Sequence, residues 1–496
     1  MDRPVSNTRK LINGVSSQSA VTVVLGVVEI VSFSIMSRLL SQEDFGYYAA
    51  VTAITTVFAS FSETGIGSAL VQRKDLNQRI INNAFTMSLI FGLFISFALF
   101  ATAGFLSSAV LDEKLKVPLM IMSSTLLCNC LTSVNLSLLQ RKLQFLRIGV
   151  IQLISIIVTT IVAIILALNG FGFYSIIAKA VLSAWLTLFL SYLFSRPKLG
   201  LGIDLESFKS IFGFSGWLMA SVFFRNFAQQ VDRLLMGRLL SVTSLGAYNR
   251  PKEFINQISS KFNGIFDSAL FPVLSSVQDN KTSLANAYRL SFYYLNIASM
   301  LLALLFVFNH ELIIRVFLGE QWMNIKLIFV ILSLSLIFNI DGRLSDCFLR
   351  SLGLTRAQFF FRIVELILEI VALFIGAKWE LVGISIAIIL VSFLMIVIKT
   401  HYIAKWVGVS LSQTISIILN SWQFTIVILP VLIFLYYLLP HSIVGNILLA
   451  GAFIVLCIVV FLVFPNLVGG RYANEAYERV LGYVKEIMRK LFQNNK

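Results

Sequence analysis

Charged side chains are scarce in this 496-residue chain. They make up 13% of it, where soluble proteins carry about 25%. With 58% hydrophobic residues, a soluble domain of ordinary composition is excluded and the chain reads as an integral membrane protein. The short alternating segments of a membrane barrel are missing as well. Cysteine and histidine are equally thin. Cys128, Cys130, Cys347 and Cys457 all lie within apolar runs, where a thiol behaves as a small hydrophobe. His310, His401 and His441 stand apart at segment ends, so no metal or catalytic cluster can be assembled from them. No cofactor and no metal are expected. No connection is long enough to hold a soluble domain, and nothing points to nucleic acid.

What is present is a succession of apolar runs near 20 residues, the length a hydrocarbon core of about 30 Å requires of a helix. The spacing predicts an all-α, polytopic fold of fourteen membrane helices over 16–39, 46–71, 81–106, 117–139, 147–168, 172–194, 210–239, 246–275, 287–308, 325–349, 359–376, 380–401, 417–438 and 443–464. Residues 1–195 form an N-lobe of six helices, 196–209 a linker, 210–405 a C-lobe of six more, and 406–468 the last two. In 471–496 Tyr477, Val480, Leu481, Val484, Ile487, Met488 and Leu491 recur at helical spacing, with Arg479, Lys485, Arg489 and Lys490 off that stripe. That pattern predicts a basic amphipathic helix lying on an anionic membrane surface.

Lys and Arg outnumber Asp and Glu by 39 to 24, and many of them gather in alternate connections. Arg73, Lys74 and Arg79; Arg141, Lys142 and Arg147; Arg196, Lys198 and Lys209; Arg350, Arg356 and Arg362; and Lys399 and Lys405 mark the cytoplasmic side, so both termini are expected there. The intervening connections, such as Gln42-Glu43-Asp44, are acidic or sparse.

One stretch occurs twice, 200 residues apart. Met36, Arg38, Leu39, Leu40, Ser41, Gly46 and Tyr48 return as Met236, Arg238, Leu239, Leu240, Ser241, Gly246 and Tyr248, and Ser68-Ala69-Leu70 as Ser268-Ala269-Leu270. A unit used twice, beginning at helices one and seven, predicts two halves of parallel topology related by an axis along the membrane normal, with the substrate path between them.

Ionisable residues inside the spans are costly and mark function. Helix seven carries Arg225, Gln229 and Asp232 on one face, with Asn226, Gln230 and Arg233 beside it. The 200-residue offset matches Gln229 to Glu29 in helix one. Helix eight adds Asn249, Glu253, Gln257 and Lys261 at spacings of four, and helix ten carries Asn339, Arg343, Asp346 and Arg350 along one stripe, with Asp346 in reach of both arginines. Helix eleven has Glu365 and Glu369, and helix six has Lys179. A water-filled, net-basic cavity between the halves accounts for this set and suits an anionic ligand. Arginine's planar fork would hold phosphate oxygens and lysine would add a point charge, which makes a pyrophosphate the obvious membrane-associated anion. Pairing of the acids with nearby basic groups to lock helix packing is the structural alternative.

The stretches Arg38-Leu39-Leu40-Ser41-Gln42-Glu43-Asp44-Phe45-Gly46 and Glu63-Thr64-Gly65-Ile66-Gly67-Ser68-Ala69-Leu70-Val71-Gln72-Arg73-Lys74, with Leu138–Phe145, Leu245–Asn249 and Phe317-Leu318-Gly319-Glu320-Gln321-Trp322, resemble the bacterial polysaccharide transporters of the multidrug/oligosaccharidyl-lipid/polysaccharide (MOP) exporter superfamily. The resemblance runs from about residue 10 to residue 465, and the last three stretches look like landmarks of the branch that includes the colanic acid and O-antigen flippases. It implies a non-enzymatic flippase of the bacterial cytoplasmic membrane that turns an undecaprenyl-pyrophosphate-linked oligosaccharide between leaflets by alternating access. On that reading Arg225, Arg233, Lys261 and Arg343 attract the pyrophosphate. Asn226, Gln229, Asp232, Asn249, Glu253 and Gln257 touch sugar or support those cations, and Glu29, Asp232 and Asp346 are the places for ion coupling. Membrane lipids, a polysaccharide polymerase and chain-length machinery are the implied partners. The alternatives are a cation-coupled multidrug antiporter of the same superfamily and a membrane-embedded glycosyltransferase or polymerase.

Overall fold

A computed structural model describes residue 21 and residues 24–62, 66–72, 77–110, 112–197, 200, 202, 223–224, 226–265, 270–439 and 442–463. Regular structure among them is helical throughout. In chain order the helices are α1 (24–39), α2 (Gln42–Ser62), α3 (Ile66–Gln72), α4 (Gln78–Val110), α5 (Lys116–Arg141), α6 (Phe145–Leu168) and α7 (Phe173–Ser195). They continue with α8 (226–239), α9 (Val242–Ile265), α10 (Phe271–Ser276), α11 (Lys281–Phe308), α12 (His310–Ile313), α13 (Lys326–Ser351), α14 (Thr355–Gly376), α15 (Glu380–Val407), α16 (Leu411–Leu438) and α17 (Ile443–Val463). Each of the fourteen predicted segments contains helix. Among the described residues, eight helical stretches are both long and apolar enough to cross a membrane. α9 is not one of them, because Arg250, Lys252 and Glu253 crowd its first half. The amphipathic stretch 471–496 lies outside the described residues.

The chain divides into two compact units, Met1–Arg250 with Val316–Trp322, and Pro251–Arg315 with Met323–Lys496. The start of α9 is knit to α1 and α2 and so falls in the first unit.

Within the first unit the two copies of the repeat fold alike. α1 stops at residue 39 and α8 at 239, and the next helices begin at 42 and 242. The repeated serine is the cause. Ser41 Oγ accepts from the Asp44 N–H at 3.1 Å and Ser241 Oγ from the Ser244 N–H at 3.1 Å, the N-cap bond that opens a helix. In the first copy the Asp44 carboxylate also takes the Ser41 N–H at 2.9 Å and the Phe173 N–H at 2.8 Å. The acidic connection therefore does structural work that its charge alone did not announce.

The repeated glycine has a different cause, which is proximity. A Cβ on Gly46 would stand 1.9 Å from the Val242 carbonyl oxygen, and one on Gly246 would stand 1.8 Å from that of Gln42. α2 and α9 cross backbone to backbone there, as small residues allow in membrane bundles.

Around this crossing α1 is held by two further groups. Arg250 is buried, donating from Nε to Ser37 Oγ at 2.9 Å and from a terminal nitrogen to Phe33 O at 2.7 Å. Its guanidinium lies 3.3 Å from the Phe33 ring centre and 4.1 Å from that of Phe45, a cation–π setting suited to the planar group. The Phe-Leu-Gly-Glu-Gln-Trp stretch closes the end of α1, whose last carbonyls have no partner inside the helix. Trp322 Nε1 donates to Ser37 O at 2.8 Å, Gln321 Nε2 to Leu40 O at 2.9 Å, and Arg38 donates to Val316 O at 2.7 Å. Gly319 makes the turn at φ +108°.

The second unit is built around Tyr288, Phe292, Phe348, Phe361 and Met395, contributed by α11, α13, α14 and α15. Its outer faces carry exposed apolar groups such as Phe360, Leu390 and Phe434, as hydrocarbon contact requires.

Gly246→Val is expected to lose monodisperse, folded protein in detergent extracts. By contrast Gly342→Ala, in open space on α13, should be neutral or stabilising by about 0.5–1 kcal/mol. Thermal unfolding followed by size-exclusion chromatography checks both; equal behaviour of the two variants contradicts the crossing.

Candidate functional site

Most of the polar residues picked out by sequence fall on α8, α9 and α13. On α8, in the first unit, Asp232 is buried. It accepts the Arg233 N–H at 2.8 Å and the Tyr248 hydroxyl at 3.4 Å. Arg233 is half-buried and donates to Gln230 Oε1 at 3.0 Å. Asn226 is half-buried and Gln229 exposed; Arg225 lies outside the described residues. Glu29 is exposed on α1. Arg233, Gln230 and Asp232 thus form one connected group, ordered from within and from Tyr248 across the 240–241 turn.

Along α9 the four-residue spacing puts Asn249, Glu253, Gln257 and Lys261 on one face that grades from buried to exposed. Asn249 is buried, Glu253 and Gln257 half-buried, and Lys261 exposed. The amide oxygens of Asn249 and Gln257 are buried without a hydrogen-bond partner among the described residues. Two unsatisfied acceptors on one helix face are unusual, since such groups cost free energy, and they suit a ligand that brings hydroxyl donors.

α13 carries Arg343 and Arg350 exposed and Asp346 buried. Asp346 takes its ion-pair partners from neighbouring helices rather than from the arginines of its own stripe. Arg362 of α14 bridges Asp346 and Glu365, the latter at 3.0 Å, and Lys399 of α15 lies 3.1 Å from Glu365 and 3.7 Å from Asp346. Lys399 is 2% exposed. This corrects the expectation that Arg362 and Lys399 are loop charges setting orientation. A count of basic residues near helix ends cannot separate a charge left in water from one drawn into an ion pair a turn or two inside the helix. Two cations facing two carboxylates make this cluster a packing device, the alternative weighed for the acids from the outset. Lys179 is likewise engaged, with Ser32, which in turn meets Thr160 at 3.0 Å. Asp341, buried on α13 beside Asn296, was missed: it shares no stripe with the charged residues, and only its depth within α13 could have drawn attention to it.

These features can be set beside known proteins. The family model described as "Polysaccharide biosynthesis protein" matches residues 35–327, more than half of the chain. The chain belongs to this family. The matched range takes in both copies of the repeat, the α8 and α9 polar faces and the Val316–Trp322 segment, while the Asp346 cluster lies beyond it. Among curated relatives, the lipopolysaccharide biosynthesis protein WzxC of Escherichia coli (strain K12) is 23% identical over 445 residues, 88% of each chain. Among solved structures, the lipid II flippase MurJ in an inward closed conformation is similar with a TM-score of 0.68 at 16% identity, covering 90% of this chain and 98% of that one. An inward-facing multidrug resistance MATE family transporter of the MOP superfamily is similar with a TM-score of 0.63 at 13% identity, covering 77% and 94%. The fold is therefore that of the MOP superfamily, and this family member is a multi-pass protein of the bacterial inner membrane.

Lys399→Met leaves Asp346 and Glu365 with one cation between them and is expected to destabilise by about 3–5 kcal/mol. Lys399→Met with Glu365→Gln should recover part of that loss, read as a rise in thermal unfolding temperature over the single variant. Additive losses in the double variant contradict a shared ion cluster.

Proposed function

We propose that the protein is a flippase, not an enzyme, that moves an undecaprenyl-pyrophosphate-linked oligosaccharide repeat unit across the cytoplasmic membrane by alternating access, for surface polysaccharide biosynthesis. The observation that carries this reading is the family match across residues 35–327, which takes in the polar faces of α8 and α9. WzxC, named for lipopolysaccharide biosynthesis, and MurJ, named as a flippase of lipid II, support a glycan-bearing lipid as the cargo class. Fourteen spans with both termini in the cytoplasm complete the proposed arrangement.

The chemistry follows from the side chains. Arg233 and Arg343, with Arg225 and Lys261, offer guanidinium forks and an ammonium to the two phosphates. Gln230 steadies Arg233 from one side, so part of its fork is already oriented. Asn249 and Gln257 present acceptors, and Asn226 and Gln229 amides, to sugar hydroxyls, while Asp232 and Glu253 keep the basic groups in place. The prenyl tail stays in the hydrocarbon, so only the headgroup needs a polar route. A polymerase and its chain-length partners would receive the flipped unit on the far side.

The likeness to a MATE transporter favours a second reading, a cation-coupled drug antiporter in which Asp232 and Glu253 bind the cargo. The two readings differ in which sign of charge matters.

In cells that make the cognate surface polymer, Arg233→Ala with Arg343→Ala should lower export with the protein level in the membrane unchanged. A lost charge-assisted hydrogen bond is worth about 1.5–3 kcal/mol, so roughly tenfold or more per arginine is expected. Full export by the double variant, or loss of cationic-dye efflux in Glu253→Gln with export intact, would favour the antiporter.

A further inference from the structure

α13 carries two buried acids five residues apart, and they are treated differently. Asp346 is met by Arg362 and Lys399. Asp341 is 4% exposed and pairs with no lysine or arginine among the described residues. Its Oδ1 accepts one bond from Asn296 Nδ2 of α11 at 3.3 Å, and Asn296, itself 3% exposed, also donates to the Phe292 carbonyl at 2.9 Å.

Among the described residues, the helices around it offer no other counter-charge. From α11 the nearby titratable group is Tyr288, fully buried, whose hydroxyl donates to Thr400 O of α15 at 3.2 Å. From α15 Lys399, and from α14 Arg362, are drawn to Glu365 and Asp346; Glu369 of α14 is a further acid. α10 has no ionisable side chain, and Glu311 of α12 faces Lys326 at 3.9 Å.

A buried carboxylate is costly without a cation beside it, and a single amide N–H at that distance does not balance one. An acid and an amide become fully complementary only when the carboxyl carries a proton. The amide supplies N–H donors and one carbonyl acceptor, and only the neutral acid has an O–H to return.

We propose that Asp341 is a proton-binding site, its carboxyl occupied by one proton when α11 and α13 are packed as they are here. When that packing opens to water the carboxyl ionises and the proton leaves to solvent; when it closes, one proton is taken up again. Because the protonated acid is compatible with the closed packing and the anion is not, proton binding biases the second unit between two arrangements, as any ligand with unequal affinity for two states does. Use of this proton to drive cargo rests on the flippase reading, whereas the protonation does not.

Infrared spectroscopy of the purified full chain in lipid nanodiscs tests the site with no cargo present. The wild type is expected to show the carbonyl stretch of a protonated carboxyl at neutral pH, and Asp341→Asn, which is isosteric, is expected to lose it. An Asn296→Ser variant should shift that band in frequency, which decides the assignment even where Asp341→Asn fails to accumulate. An identical carboxyl region in wild type and variants overturns the site. In cells making the surface polymer, a protonophore should depress export by the wild type and leave whatever export Asp341→Asn retains unchanged. Export that ignores the protonophore and falls when sodium is replaced by choline overturns the coupling role. Polymer export that persists when the protein is removed would count against the flippase reading alone, because the infrared band would still stand or fall on its own.

Discussion

Hydrocarbon provides neither hydrogen bonds nor counter-ions, and the arrangement of this protein follows from where its polar groups find them instead. Arg250 finds two ring faces, a serine hydroxyl and a helix carbonyl. Lys399 and Arg362 find Asp346 and Glu365. The exposed carbonyls at the end of α1 find the indole of Trp322 and the amide of Gln321. Beside these, the polar faces of α8, α9 and α13 carry the remaining polar groups of the candidate site. Two orphaned amide oxygens on α9 belong to that remainder.

The duplicated unit supplies the frame. A serine at each N-cap and a glycine about one turn further on are among the residues the two copies share, and each has a physical duty: the first starts the helix, the second lets α2 and α9 touch at the backbone. A helix as polar as α9 gains little from hydrocarbon, so contact with α2 and the anchoring of Arg250 add to the burial of its Leu245, Tyr248, Phe254 and Ile255.

Much of this was legible in the residues. Apolar runs located most of the described helices within a few residues, although 46–71 covers both α2 and α3 and 246–275 both α9 and α10, and the offset of 200 located two turns that share a capping serine. The polar stripe of α9 is where spacing put it. Other features depended on contacts distant in sequence. Arg362 and Lys399 lie near helix ends, where a basic residue normally stays in water, and only the approach of α13 shows that they pair inward. Asp346 has arginines at helical spacing on its own stripe, yet its ion pairs cross to α14 and α15, because burial brings carboxylate and cation together where no water competes. Phe317–Trp322 could be recognised as a family landmark but not as the cap of α1, since nothing in a linear pattern links residues 285 positions apart.

The central claim is that basic groups at membrane depth are there for a lipid's diphosphate. The direct measurement is binding of undecaprenyl pyrophosphate to the purified protein by native mass spectrometry, set against undecaprenol. The account predicts that the diphosphate lipid binds more tightly, that added salt erodes the difference, and that Arg233→Ala with Arg343→Ala removes it. Equal binding of the charged and uncharged lipids by the wild type would contradict it.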